Sequence, residues 1–156
     1  MAENTWYGRV VHNLGELPDF INFYQRELVD ARQDCRIGGI IEQNIKGLPG
    51  ITEHRFNQLQ EIEAVLNYLN IQLRKLRRKW FQKYLENYQR ALSSRDVEKY
   101  VDGEDEVVDY ETLINEVALL RNQYLGIMKA IEAKNYQLSS IVRLRVAGME
   151  DVSIKW

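Results

Sequence analysis

Two hydrophobic runs constrain this chain more than anything else in it. Leu59, Ile62, Leu66, Leu69, Leu73, Leu76 and Trp80 alternate steps of three and four residues. Tyr110, Leu113, Val117, Leu120, Tyr124, Ile127 and Ile131 do the same, and Ile21, Tyr24, Leu28, Ala31 and Cys35 form a shorter copy. Residues three and four apart share a helix face. A seven-residue repeat drifts slowly against the 3.6-residue turn, so the runs predict long helices with coiled-coil-like packing. Only 2 Pro and 9 Gly occur in 156 residues, which favours long helices over the many tight turns of a small β domain. An apolar fraction of 45% with 28% charged residues is a folded composition rather than a disordered one.

Local signals divide the chain into a helical segment over 1–50, a helical body over 51–148 and a tail over 149–156. Pro18 suits the first turn of the first helix, where its missing N–H costs nothing. Gly38-Gly39 weakens that helix, and Gly47-Leu48-Pro49-Gly50 is expected to end it or its continuation. Thr52 is the candidate cap of the next helix, which meets no Gly or Pro before about Leu92. At about 1.5 Å per residue it would be on the order of 60 Å long. Ser93-Ser94 and Asp102-Gly103-Glu104-Asp105-Glu106 form a polar break around a short helical turn. The third long helix begins near Asp109, with Asn135 as a possible kink or end, and a last amphipathic stretch reaches Gly148.

The expected fold class is therefore all-α, with the second and third long helices forming an antiparallel hairpin. Tyr68, Ile71, Phe81, Leu85, Leu119 and Leu125 fall off the seams. An apolar stripe left outside a two-helix hairpin needs another helix over it, which predicts a homo-oligomer.

Charge is segregated along the chain. Residues 71–95 carry eight bases against one acid, a local balance of +7. Residues 96–116 carry nine acids against one base, a balance of −8, although the whole chain is only −2. The bases Arg74, Lys75, Arg77, Arg78, Lys79 and Lys83 are interleaved with Trp80, Phe81, Tyr84 and Tyr88. Cations neutralise phosphates and exposed rings stack on unpaired bases, a combination suited to single-stranded nucleic acid. The same residues also read as a seam Trp80, core Tyr84 and Tyr88, and a solvated basic face. Five bases in the six positions 74–79 repel one another, which favours a polyanion or an acidic partner nearby.

Other chemistries find little support. The acidic break lacks the spaced ligands of an EF-hand loop, so no metal site is expected. His12 and His54 form no His-x-x-x-His pair, and neither a Gly-rich phosphate loop nor a nucleophile elbow occurs. No enzyme activity and no cofactor are expected. A lone Cys35 excludes an intrachain disulfide and reads as a small buried hydrophobe. With no basic-then-apolar leader and no apolar stretch of membrane length, the chain is expected to be soluble and cytoplasmic.

Residues 52–148 resemble a known family. The shared order is a long helix ending in a basic, aromatic-flanked segment, then an acidic spacer, and then a helix led by Val108-Asp109-Tyr110-Glu111-Thr112-Leu113. Tyr136-Gln137-Leu138 and Ile141-Val142-Arg143-Leu144-Arg145 close it. This is similar to the UvsY-type recombination mediators of T4-like phages. The resemblance implies a ring-like homo-oligomer that binds single-stranded DNA and helps load a recombinase onto strands covered by single-strand-binding protein. It places the chain in the host cytoplasm if it is phage-encoded. The family's Lys-x-Arg pair ahead of aromatics falls on Lys75 and Arg77 before Trp80-Phe81, or alternatively on Lys79 and Lys83 before Tyr84. A structural coiled-coil scaffold and an RNA-binding helical module are the competing readings.

Overall fold

A computed structural model describes residues 4–87 and 92–149. The sequence readings on Tyr88, Arg90 and most of the 149–156 tail lie outside these residues. Five α-helices and one 3-10 turn make up the described chain, with no strand among the described residues. They are α1 (Trp6–His12), the 3-10 turn (Leu14–Glu16), α2 (Leu17–Asp34), α3 (Ile41–Asn87), α4 (Ser94–Asp102) and α5 (Asp105–Val146). No helix among them is long and apolar enough to cross a membrane.

The helices build two compact units, Met1–Asn22 with Gln60–Arg121 and Phe23–Leu59 with Asn122–Trp156. In the first, Val10, Leu17, Phe20, Ile62, Leu69 and Leu120 are buried, each at 2% exposure or less. The α1 helix starts on the Thr5 side chain, which accepts from the Gly8 N–H and so satisfies one of the free donors of a helix start. Trp6 meets Phe20 edge-on at 6.2 Å. Further along, Val97 and Val101 from α4 and Val107 from α5 are buried together. Leu73, Leu76, Trp80, Phe81 and Tyr84 of α3 pack against them.

The α4 helix is short but closed at both ends. Ser93 accepts from the Asp96 N–H at its start. At its end the Gly103 N–H reaches the Lys99 and Tyr100 carbonyls. Only Gly103 and Glu104 separate α4 from α5, so the acidic stretch is a tight helix junction rather than a loose loop. Asp105 and Glu106 occupy the first turn of α5, where carboxylates oppose the helix dipole favourably.

The second unit is organised around a buried cation. Arg55 on α3 is 5% exposed. Its Nε donates to Asp34 Oδ2 at 2.8 Å, and its NH1 donates to Glu27 Oε2 at 3.1 Å and to Gln58 Oε1 at 2.9 Å. Gln58 Nε2 in turn donates to Glu27 at 2.8 Å. Lys134 Nζ of α5 donates to the Asp34 carbonyl at 2.8 Å, and the Tyr124 hydroxyl donates to the Tyr24 carbonyl at 3.3 Å. Burial pushes the Tyr124 phenol well above its ordinary pKa. Cys35 is half-buried and its Sγ donates to the Ala31 carbonyl. Burial, then the neighbouring Asp34, raises its pKa, which favours the neutral thiol.

Several boundaries differ from the sequence expectation. The Gly47-Leu48-Pro49-Gly50 segment does not end a helix; α3 begins at Ile41 and carries Pro49 inside it. Leu48 is buried at 7% exposure, and the Thr52 hydroxyl donates back to its carbonyl at 2.8 Å. Thr52 is thus a mid-helix residue rather than a cap. Burial of one face outweighs the local breaker signals, which is how tertiary packing overrides propensity. Asn135 likewise does not end α5. Lys134 and Leu138 on either side are buried; the helix runs to Val146 and is closed just beyond it by Gly148, at φ +73°. There the Met149 N–H bonds the Leu144 carbonyl and the Gly148 N–H that of Arg145, the paired pattern of a left-handed helix end. Of the off-seam residues, the Tyr68 hydroxyl donates to the Val11 carbonyl and Phe81 packs on the α4 valines. The chain covers those two itself. Ile71, Leu85, Leu119 and Leu125 remain exposed.

Two outcomes follow for stability. Pro49 denies the Ile45 carbonyl its donor, so Pro49→Ala should raise the urea midpoint, by up to about 3 kcal/mol in free energy; an unchanged or lower midpoint would contradict this account of α3. Arg55→Met should cost about 2–3 kcal/mol by the same titration. That is below the roughly 3–5 kcal/mol of a fully buried pair, because the Glu27 and Asp34 side chains keep 27% exposure and can rehydrate.

Candidate nucleic-acid interface

The basic segment is the part of α3 that α4 and the start of α5 pack against. Helical geometry sorts its side chains. At about 100° per residue, Arg74, Arg78, Lys75, Lys79 and Lys83 fall in that order across an arc of about 180°. Trp80, Tyr84, Arg77 and Phe81 fall on the other half.

The structure follows this division. Arg74, Lys75, Arg78, Lys79 and Lys83 are all exposed. None of the five forms an ion pair with a described residue. The Lys83 ammonium lies 4.6 Å from the Trp80 ring centroid, a cation–π contact.

The opposite half is tied to carboxylates. Arg77 NH2 lies 2.5 Å from Asp102 Oδ1, and its NH1 lies 3.4 Å from Glu111 Oε1. Trp80 Nε1 donates to Glu106 Oε2 at 3.0 Å. The Tyr84 hydroxyl donates to Glu104 Oε1. Three donors on successive turns of α3 thus meet four acids drawn from the α4–α5 junction and the first turns of α5.

The rings also meet one another. Trp80 and Tyr84 lie 6.2 Å apart with planes tilted by 39°. Tyr84 stacks on Tyr100 at 5.5 Å and 23°. Tyr100 is 46% exposed and extends the aromatic column outward from α4. Sequence reading did not single it out, because its partner lies 16 residues earlier and only the fold brings the rings together.

Of the eight candidate residues, then, five form an open cationic arc, while Arg77, Trp80 and Tyr84 are engaged within the chain. The Lys75-x-Arg77 pair is split, one member outward and one inward. An apolar groove of about 960 Å³ lies in the second unit. Leu48, Phe56, Leu125, Met128 and Ile131 line it, with Glu53, Glu132 and Lys129 as its charged groups. Among the described residues, no group of three or more His, Cys, Asp or Glu is placed to hold a metal ion. No family model matches the chain, and no curated protein or solved structure matches it.

The two faces should differ in what they contribute to folding. Arg77→Ala should lower stability by about 1 kcal/mol, the upper range for a partly exposed ion pair. Lys75→Ala or Lys79→Ala should stay within about 0.5 kcal/mol of wild type. Urea denaturation of the three variants checks this, and equal losses at all three sites would refute the division of the helix.

Proposed function

We propose that this chain binds single-stranded DNA through the outer arc of α3 and acts as a recombination mediator. In this reading, helical hairpins assemble into a ring-like homo-oligomer. The assembly helps load a recombinase onto strands covered by single-strand-binding protein. The observation that carries the DNA-binding part is the open arc itself: Arg74, Lys75, Arg78, Lys79 and Lys83 are exposed and form no ion pair with a described residue, although acids are abundant nearby. The mediator role and the ring rest on the resemblance of residues 52–148 to UvsY-type proteins.

The physics of such a surface is simple. Each cation that neutralises a phosphate releases a counterion, so binding weakens as salt rises, with a log–log slope of about −0.7 per contact on single strands. Five contacts per subunit correspond to a slope of about −3.5. The exposed edges of Tyr100 and its neighbouring rings offer stacking to bases of any identity. Repeating the arc around an oligomer raises the effective concentration of each site for a strand already held, so the assembly binds far more tightly than one subunit.

The test combines light scattering with anisotropy of a labelled oligothymidylate at two salt concentrations. Binding should fall roughly a hundredfold between about 50 and 200 mM salt. Lys75→Glu with Lys79→Glu should remove binding while particle mass stays unchanged. Wild-type affinity in that double variant would refute the site. An oligomer that dissociates in high salt and ignores DNA would match a scaffold protein instead, and preference for RNA in strand competition would match an RNA-binding module.

A further inference from the structure

Three donors of the basic helix already hold oxygens of the kind a nucleic-acid strand would present. Arg77, Trp80 and Tyr84 occupy consecutive turns and share one face. Each is bonded to a carboxylate, from Asp102 and Glu111, Glu106 and Glu104 respectively. A carboxylate oxygen and a phosphate oxygen accept from guanidinium, indole N–H and phenol O–H in the same manner. Four acids therefore sit where phosphates would.

We infer that Asp102, Glu104, Glu106 and Glu111 form an autoinhibitory clasp, an internal competitor that single-stranded DNA must displace to engage Arg77, Trp80 and Tyr84. This rests on the DNA-binding reading above and adds the regulation of that same site. The outer arc captures the strand first, because its cations have no ion pair among the described residues to break. The strand then competes for the inner donors.

The fold makes the exchange feasible. Arg77, Asp102 and Glu111 keep 33%, 59% and 47% side-chain exposure, and ion pairs this wet are weak and screened by salt. Asp102, Glu104 and Glu106 lie within five residues at one helix junction, so release of one loosens the others. The α4 helix that carries Asp102 buries only Val97 and Val101. A lone phosphate ion satisfies one donor at a time, whereas a continuous strand offers an acceptor to all three. The clasp thus favours polymer over small anions.

The experiment compares wild type with two quadruple variants of equal charge. Asp102→Asn/Glu104→Gln/Glu106→Gln/Glu111→Gln opens the clasp and removes both carboxylates from Arg77. Glu98→Gln/Asp105→Asn/Asp109→Asn/Glu116→Gln removes four acids of the same stretch whose side chains make no hydrogen bond or ion pair with a described residue. Anisotropy of labelled oligothymidylate is followed over a salt series. The clasp variant should bind about fivefold or more tightly than the control variant, with a salt slope steeper by about 0.7 from the freed Arg77. Equal tightening in both variants would reduce the effect to net charge and overturn the clasp, as would no tightening in either while wild type binds. If none of the three proteins binds, the DNA-binding reading fails and the clasp with it. Hydrogen exchange on wild type guards against misfolded variants: added strand should speed exchange of the α4 amides, and unchanged or slower exchange overturns the proposal.

Discussion

Six cations cannot share ten residues of one helix without finding counter-charge or water. Between Arg74 and Lys83 the chain meets that constraint in both ways. It turns five of them outward, where solvent screens their repulsion. It gives the sixth, Arg77, two carboxylates from elsewhere in the same unit. The position of the acidic stretch follows from the same constraint. Placed at the start of α5, its acids also oppose the dipole of a 42-residue helix, so one cluster of charge serves two electrostatic ends.

The packing beneath this surface depends on very little apolar material. Three valines and the inner edges of Leu73, Leu76, Trp80 and Phe81 form the local core. The indole and the phenol each present an apolar body to that core and a polar tip to a carboxylate, the usual compromise for aromatic groups at a wet boundary. A segment that looks like a binding surface in sequence is thus also a packing surface, and the two roles are separated by direction around the helix axis rather than by position along it.

Much of this was legible in the sequence. The long helices announced themselves in the spacing from Leu59 to Trp80 and from Tyr110 to Ile131, because a buried face must recur every three or four residues. The short helix after Ser93 was signalled by its flanking polar breaks. What stayed hidden depends on contacts between distant residues. Arg77 and Arg78 are adjacent in sequence and identical in type, yet one is held and the other has no ion pair with a described residue, since the acids that separate their fates lie 25 and 34 residues further on. The passage of α3 through Pro49 was hidden for a related reason: the burial of Leu48 that outweighs the breaker belongs to the folded unit, not to the local segment. The α1 helix, at 7 residues, is too short to show a period.

The guanidinium of Arg55 carries a consequence for how this chain can change over evolutionary time. It joins Glu27, Asp34 and Gln58, residues 28, 21 and 3 positions away, into one bonded set. Loss of either carboxylate leaves the buried guanidinium short of a partner, whereas loss of Arg55 leaves two carboxylates to the water that their partial exposure admits, so the four are epistatic. Drift at these sites must therefore proceed by concerted replacement, either trading the whole polar quartet for hydrocarbon or keeping it entire, while positions a turn away on the solvent side vary one by one.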